Sequence, residues 1–289
     1  MPREFLSRIL RKLFPAIYWT QRLRRLERMH HEVELSLLPL LCDPKRVSVD
    51  IGAAGGQFMV RLARLSSRCV AFEPRRSSAR ELRAMATHVG LPIQVENVAL
   101  SDSQGQAHLR MLLDDPGRST IEDVNALADE NGGQIFETLV RTQRLDDYGL
   151  TGVGFIKIDV EGHEVAVLKG AVSTLDRDQP MLLIEAENRH RPNAVADLDA
   201  YLTARGYRGF FVHDRQIKRV ERFISQVHQN PANIGGWKSN WKRRGVYINN
   251  FMYVPKAYAP DFVASSTAIL RKETTTKRAI DSTSSESFK

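Results

Sequence analysis

Apolar and polar positions divide the chain into short β-branched runs separated by stretches of helical period. VSVDI at 47–51 is an apolar run that stops at a glycine turn, and a helical pattern opens at Gln57. RCVAFEP at 68–74 reads as a second strand, Ser78–His88 as a helix, Ile93–Leu100 as a strand and Ala107–Leu113 as another. FIKIDV at 155–160 alternates Phe155, Ile156, Ile158 and Val160 with polar residues. A helix with Val165, Val167, Leu168, Ala171 and Leu175 on its apolar face follows. Met181–Glu187 predicts a strand, Ala194–Arg205 a helix, Tyr207–His213 a strand and Phe251–Val254 the last strand. Strands alternating with helices are most simply accommodated in one parallel sheet. Positions 114–139 are rich in Asp, Gly and Asn and read as a loop with a short helix, long enough for a functional lid.

The two ends differ from this middle. In residues 1–29, eight Arg or Lys face only Glu4 and Glu27, while Leu6, Ile9, Leu10, Leu13, Phe14 and Ile17 fall at helical spacing beside Tyr18 and Trp19. A basic amphipathic helix with aromatics suits a membrane surface. It equally suits a helix packed on the main domain, and Pro15 predicts a kink. From Ser265 onward Ser, Thr and Lys dominate, which predicts a disordered tail. The organisation expected is a helical extension over 1–44, a domain over 45–258 and a tail over 259–289. The polar stretch 230–250 holds Trp237, Trp241 and Tyr247, which suit either a sugar-stacking wall or loop anchors.

At 289 residues the chain can bury a full core, and no run of 18 apolar residues marks a membrane span. Two cysteines, Cys42 and Cys69, give neither metal spacing nor a disulfide framework. Arg8, Arg11 and Lys12 interrupt any secretory apolar region. Together these features fit a cytoplasmic protein, with peripheral contact at the inner face of a membrane if the front helix docks there. The formal net charge of +8 also admits nucleic acid as a partner.

Candidate chemistry starts at VDIGAAGG (49–56). A buried strand feeding Gly52, Gly55, Gly56 and a helix N-terminus is where an α/β sheet holds a nucleotide-like ligand. The G-x-G-x-x-G pattern of nicotinamide sites fails, because Ala54 stands two places after Gly52. Asp50 inside the turn would repel a pyrophosphate and suits a ligand end bearing an amino group or a sulfonium. S-adenosylmethionine has both. Its ribose suits Glu73, about 20 residues past the turn. Asp159, Glu161 and His163 cluster at the carboxyl end of the FIKIDV strand, the ligand edge of an open sheet. Glu164 reads instead as a helix N-terminal acid.

These segments carry a resemblance. VDIGAAGG (49–56), AFEP (71–74), NVALSD (97–102), RST (118–120), FIKIDVEGHE (155–164), LLIEAENRH (182–190) and NNFMYVP (249–255) resemble, in order, those of FkbM-type methyltransferases. That family is a branch of the class I S-adenosylmethionine-dependent enzymes. The resemblance covers roughly residues 45–255. It implies an α/β, Rossmann-like sheet of seven strands, mostly parallel with the last antiparallel, between helical layers.

It further implies that Asp50, Gly52, Gly55 and Gln57 meet the methionine end of the cofactor. Glu73 would bind the ribose, and Asn97 or the backbone near Ala99 would border the adenine. The implied activity is O-methylation of a saccharide, glycolipid or related secondary metabolite. Asp159 is the first-choice base, with Glu161, His163, Glu187 and His190 behind it. A divalent cation on Asp159, Glu187 and Asn188 is compatible with their oxygens but not required. No [DN]-P-P-[YF] motif or Pro-Cys pair follows the FIKIDV strand, which disfavours base or glutamine amino groups and pyrimidine C5 as acceptors. An RNA methyltransferase and a non-catalytic membrane-associated adaptor stay open as alternatives, although no nucleic acid partner is expected.

Overall fold

The structure is a computed structural model; it describes residues 10–29, 32–113, 115, 117–125, 127, 134–234 and 244–286, with side chains as far as 272. The main sheet is built from β1 (Val47–Ile51), β2 (Arg68–Phe72), β3 (Ile93–Glu96), β8 (Val153–Ile158), β9 (Met181–Glu185), β10 (Tyr207–His213), β11 (Gln216–Arg219) and β12 (Asn250–Pro255). Its order is β11-β10-β12-β9-β8-β1-β2-β3. β1, β2, β3, β8 and β9 pair in parallel, and β12 runs antiparallel to both β9 and β10. The expected mostly parallel sheet with an antiparallel last strand is therefore present. An eighth strand, β11, is added by a hairpin whose turn residues, Asp214 and Arg215, both have positive φ.

Strand periodicity splits the core in two. Val47, Val49, Ile51, Ile156, Ile158, Leu182 and Ile184 face helices α5 (Glu164–Lys169), α6 (Val172–Asp178) and α7 (Ala194–Thr203). On the other face Cys69, Ala71, Phe155, Leu183 and Met252 pack under α3 (Gln57–Leu65) and α4 (Arg76–Val89). Cys69 is a buried core residue, and it and Cys42 are both free thiols. Helix α1 (Pro15–Arg28) joins the second layer by burying Trp19, Leu23 and Leu26 against α3 and α4, so it is part of the fold.

Three segments differ from expectation. The stretch Ile93–Leu100 is not one strand. β3 ends at Glu96, and β4 (Ala99–Leu100) leaves for a second sheet, β4-β7-β5-β6, with β5 (Gly105–Leu112), β6 (Ser119–Thr120) and β7 (Ile135–Gln143). The loop expected at 114–139 thus contains β6 and the start of β7, and a satellite core of Ala99, Leu109 and Val140 supports that sheet. The tail is not disordered from Ala259: helix α9 (Ala259–Glu286) starts there and buries Phe262, Ser266 and Leu270 at four-residue spacing. Trp237 and Trp241 lie outside the described residues. Among the described residues no helix is long and apolar enough to cross a membrane.

Candidate active site

Sheet order reverses direction between β1 and β8, so their carboxyl ends frame a crevice. Register places Asp50 opposite Lys157 across this switch point, and β8 turns away at Asp159, whose N–H donates to Ile51 O at 2.9 Å. Gly52 follows with φ +83°, and a Cβ there would lie 1.9 Å from the Asp159 carbonyl oxygen. Only glycine lets the two turns approach so closely. The cavity above them is walled by Gly52, Ala54, Glu73, Pro74, Arg75, Val98, Ala99 and Leu100, and at its far side by Asp159, Glu161 and His163. Leu109, Ser119, Thr120 and Ile121 of the second sheet form its roof. It contains about 570 Å³ of empty space, its open mouth included.

The predicted binding residues divide by what they touch. Asp50 is 2% exposed, and its Oδ2 has no hydrogen-bond partner within the protein; nor has Gln57 Nε2. An unpaired acceptor on Asp50 and an unpaired donor on Gln57 beside a glycine turn suit a polar ligand end that carries both a cationic group and an acceptor. Burial drives the Asp50 carboxyl up to about 7, against the pull of Lys157, with Asp159 and Glu73 adding to the rise. Glu73 lines the cavity. Its Oε2 accepts from Ala54 N–H at 2.7 Å and its Oε1 from Arg75 N–H and Nε–H at 2.9 Å each. A carboxylate keeps further lone pairs for hydroxyl donors after such bonds. Gly55 has open space around it. Asn97 does not line the cavity; its Nδ2 donates to Glu73 O and Pro74 O at 2.9 and 2.8 Å, bracing the end of β2, while Ala99 is on the wall.

The predicted catalytic residues fall in three groups. Asp159 lies deep in the crevice with 35% of its side chain open to it, and Lys157 Nζ sits 4.0 Å from its Oδ2 and 3.9 Å from Glu185 Oε2. Burial raises Asp159 to about 6, with Lys157 opposing and Glu161 and Glu32 reinforcing. Burial alone would discharge Lys157, but Asp159 and Glu185 outweigh it and hold its pKa above the usual value. The second group is Glu161 and His190. Glu161 has φ +55°, and Thr120 Oγ1 and Asn125 Nδ2 hold its carbonyl at 3.0 and 2.7 Å. An acid kept in this conformation by two side chains of the roof is strained in the manner of functional turns. His190 Nε2 lies 2.8 Å from Glu161 Oε2, close enough for an ion pair but without full hydrogen-bond alignment. Burial disfavours the imidazolium, yet Glu161 and then Glu187 raise the His190 pKa overall. His190 is thus a buried, paired residue rather than an exposed loop histidine.

The third group is committed to other partners, although His163 also lines the cavity. His163 Nδ1 meets Glu122 Oε2 at 3.0 Å and its Nε2 meets Ser101 Oγ at 2.9 Å, tying the roof to β4. Glu187 is buried against Arg189, at 2.5 and 3.0 Å, and accepts from the Tyr247 hydroxyl. Its pKa falls below the usual value because Arg189 outweighs burial, which leaves it a poor base. Asn188 Nδ2 donates to Ser225 Oγ at 2.8 Å and its Oδ1 accepts from Val195 N–H at 3.2 Å. The cation set Asp159, Glu187 and Asn188 is therefore not assembled. Among the described residues no cluster of three or more His, Cys, Asp or Glu could hold a metal ion.

Lys157, Glu185 and Asn250 are functional candidates that strand reading alone overlooked. Asn250 Oδ1 lies 3.4 Å from Lys157 Nζ, and Asn250 pairs with Glu185 across β12 and β9. The available signal was alternation, since Lys157 and Asp159 are two apart on one strand path. Beside this group a second cavity, with about 440 Å³ of empty space including its open mouth, is lined by Glu32, Val33, Glu34, Val212, Tyr247, Ile248 and Asn249.

Glu164 behaves as a helix-start acid: it is buried and accepts from Gly162 N–H at 2.8 Å. Burial raises it from 4.5 to about 7. The folded protein therefore holds a proton that the unfolded chain releases between these values, and stability falls as pH rises through that window. Glu164→Gln keeps an acceptor and removes the buried charge. It is expected to match wild type in thermal melts at pH 5 and to be more stable by about 1–3 kcal/mol at pH 8. Equal melting at both pH values would show that the carboxyl is ionised without penalty.

The family model for the methyltransferase FkbM domain matches residues 50–208. No curated protein matches the sequence. Among solved structures, methyltransferase FkbM from Methylobacillus flagellatus KT is 16% identical with a TM-score of 0.48, covering 82% of this chain and 50% of its own. The present chain thus spans about half the length of that protein. SMU.1697c, a putative methyltransferase from Streptococcus mutans in complex with SAH, is 10% identical with a TM-score of 0.44, covering 78% and 98%. An rRNA methylase from Streptococcus thermophilus is 12% identical with a TM-score of 0.39, covering 76% and 92%.

Proposed function

Because the chain belongs to the FkbM methyltransferase family, we propose that it transfers a methyl group from S-adenosylmethionine to a hydroxyl of a saccharide, glycolipid or related secondary metabolite. The observation that carries this reading is the meeting, in one cavity, of the glycine turn after β1, at Gly52 and Ala54, with Glu73 after β2 and the acid-bearing turn after β8; Asp50, on β1 beneath the turn, does not line it. Asp50, Gly52, Gly55 and Gln57 would hold the methionine end, Glu73 the ribose, and Val98, Ala99 and Leu100 the flat face of the adenine. S-adenosylmethionine supplies a methyl on a sulfonium, so the chain's own task is to align the acceptor, exclude water and remove a proton.

An alcohol is a weak nucleophile until its proton leaves. Asp159, with its pKa near 6, is ionised at neutral pH and basic enough to accept that proton. Lys157 stabilises the ionised form from 4.0 Å. The Glu161–His190 pair beside it gives the cavity a second proton-holding group. On the acceptor side, Glu32 lines the second cavity, and beyond the bond it accepts from Asn250 Nδ2 its carboxylate keeps lone pairs for the hydroxyls of a polyol. The carboxylates around Lys157 make a poor seat for a phosphate-rich polymer, which favours a saccharide over RNA.

Two measurements test this reading. Calorimetry should show binding of S-adenosylmethionine and its demethylated product, with no NAD binding. Glu73→Ala should weaken that binding by about 1–3 kcal/mol, the scale of a charge-assisted hydrogen bond; wild-type affinity would remove Glu73 from the ribose site. Mass spectrometry of surface glycolipids and polysaccharides, with and without the gene, should reveal one lost methyl group. A loss confined to RNA would replace the proposed acceptor.

A further inference from the structure

Helix α1 uses only one of its faces to pack. At about 100° per residue, Trp19, Leu23 and Leu26 cluster on one side and are 2%, 8% and 8% exposed. Ile17, Gln21, Arg24, Arg25 and Arg28 fall within an arc of about 100° on the opposite side, and Leu13 and Phe14 immediately precede the helix. Leu13, Phe14 and Ile17 are 63%, 54% and 50% exposed. Phe14 N–H donates to Leu10 O at 2.8 Å and Tyr18 N–H to Phe14 O at 3.0 Å, while Phe14 itself leaves helical geometry, with φ -134° and ψ 60°, where the chain enters Pro15.

Charge follows the same division. Arg11 and Arg22, on the flank, pair with Glu81 of α4 at 3.0 and 3.2 Å. Arg24, Arg25 and Arg28 are exposed, pair with no acid among the described residues, and line a shallow surface groove with Gln21 and Met29. The outward face is therefore apolar at its N-terminal end and cationic at its C-terminal end, with no acid between. Water alone gives no reason to expose three large apolar side chains in one patch.

We propose that this face of α1 docks the protein on an anionic lipid bilayer. Leu13, Phe14 and Ile17 would enter the headgroup–acyl boundary, and Arg24, Arg25 and Arg28 would lie among the anionic headgroups. The packing and docking functions do not compete, because they use opposite faces. The helix ends close to the site. Met29 and Glu32 are three residues apart, so at most about 11 Å separates their Cα atoms, and Glu32 lines the second cavity. A docked helix would hold that cavity near the bilayer surface, within reach of a lipid-linked hydroxyl. Docking itself does not depend on which acceptor is methylated.

Flotation of the full-length protein with phosphatidylcholine vesicles, with and without phosphatidylglycerol, tests the proposal. Wild type should float with the anionic vesicles only, and release should follow added salt. Arg24→Glu/Arg25→Glu/Arg28→Glu should lower partitioning by about 100-fold, roughly fivefold per arginine, and Leu13→Asp/Ile17→Asp should abolish it. Because these side chains are exposed, both variants should keep the wild-type melting temperature and S-adenosylmethionine affinity, which separates failure of docking from failure of the site. Wild type that ignores anionic vesicles at low salt would overturn the proposal. So would variants that float like wild type, or a wild-type dimer that Leu13→Asp/Ile17→Asp converts to monomer without any vesicle binding.

Discussion

Gly52→Ala is expected to abolish cofactor binding, with affinity for S-adenosylmethionine falling by at least about 100-fold. The cause is steric and lies in the backbone. The new Cβ would sit 1.9 Å from the Asp159 carbonyl oxygen, and no rotamer can relieve a contact between a Cβ and a main chain. The φ of +83° adds strain of its own. Either β1 or the turn after β8 must give way, and both frame the cavity. Overpacking and a forced left-handed residue together cost about 2–4 kcal/mol, so the melting temperature should also drop by several degrees. Gly55→Ala is the control, since a Cβ there meets nothing within 4 Å. It should leave stability unchanged, and any loss of affinity confined to it would place the ligand directly over Gly55. Wild-type calorimetry from Gly52→Ala would sink the assignment of the turn.

The parts of the fold that were legible are those specified locally. β1, its glycine turn, β2 and β8 combine continuous apolar runs with Gly and acid punctuation, and each stops where that punctuation falls. β7 was not legible. Its Phe136 and Leu139 are 49% and 55% exposed, so its place is set by pairing with β5 along eight registers rather than by its own burial. The break between β3 and β4 contains neither Gly nor Pro and is made by the Asn97 side chain reaching back to Glu73 and Pro74, a tertiary contact. In α9 the spacing of Phe262, Ser266 and Leu270 was present in the sequence, but Ser and Thr composition outweighed it.

The site divides the same way. Asp50 and Asp159 end neighbouring strands and announce themselves. The surroundings that set their pKa values do not. Lys157, Glu185 and Asn250 meet only because antiparallel β12 is inserted beside β9, which no local pattern reveals. His190 looks like a surface residue in sequence. It is buried because Glu161, 29 positions away in the chain, is turned toward it by a left-handed backbone that Thr120 and Asn125 secure.

Asp159→Asn is expected to keep the fold and the cofactor affinity while lowering turnover by about 100-fold or more, the scale of general-base loss. The pH profile distinguishes this role from a structural one. Burial has raised the carboxyl to about 6, so the basic form is present above that value and lost below it. Wild-type kcat/KM should therefore fall as pH drops through about 6, and that limb should vanish in the asparagine variant. The substitution also removes one of two carboxylates within 4.0 Å of Lys157, leaving Glu185 and Asn250 to hold the ammonium. If Asp159 served only to neutralise Lys157, the variant would melt at a lower temperature while turnover per folded molecule stayed near wild type. An active Asp159→Asn enzyme with the acid limb intact would move the proton to the Glu161–His190 pair. Glu161→Gln would then carry the loss, because it removes the carboxylate that raises the His190 pKa most and leaves Glu187 alone against burial and Arg189.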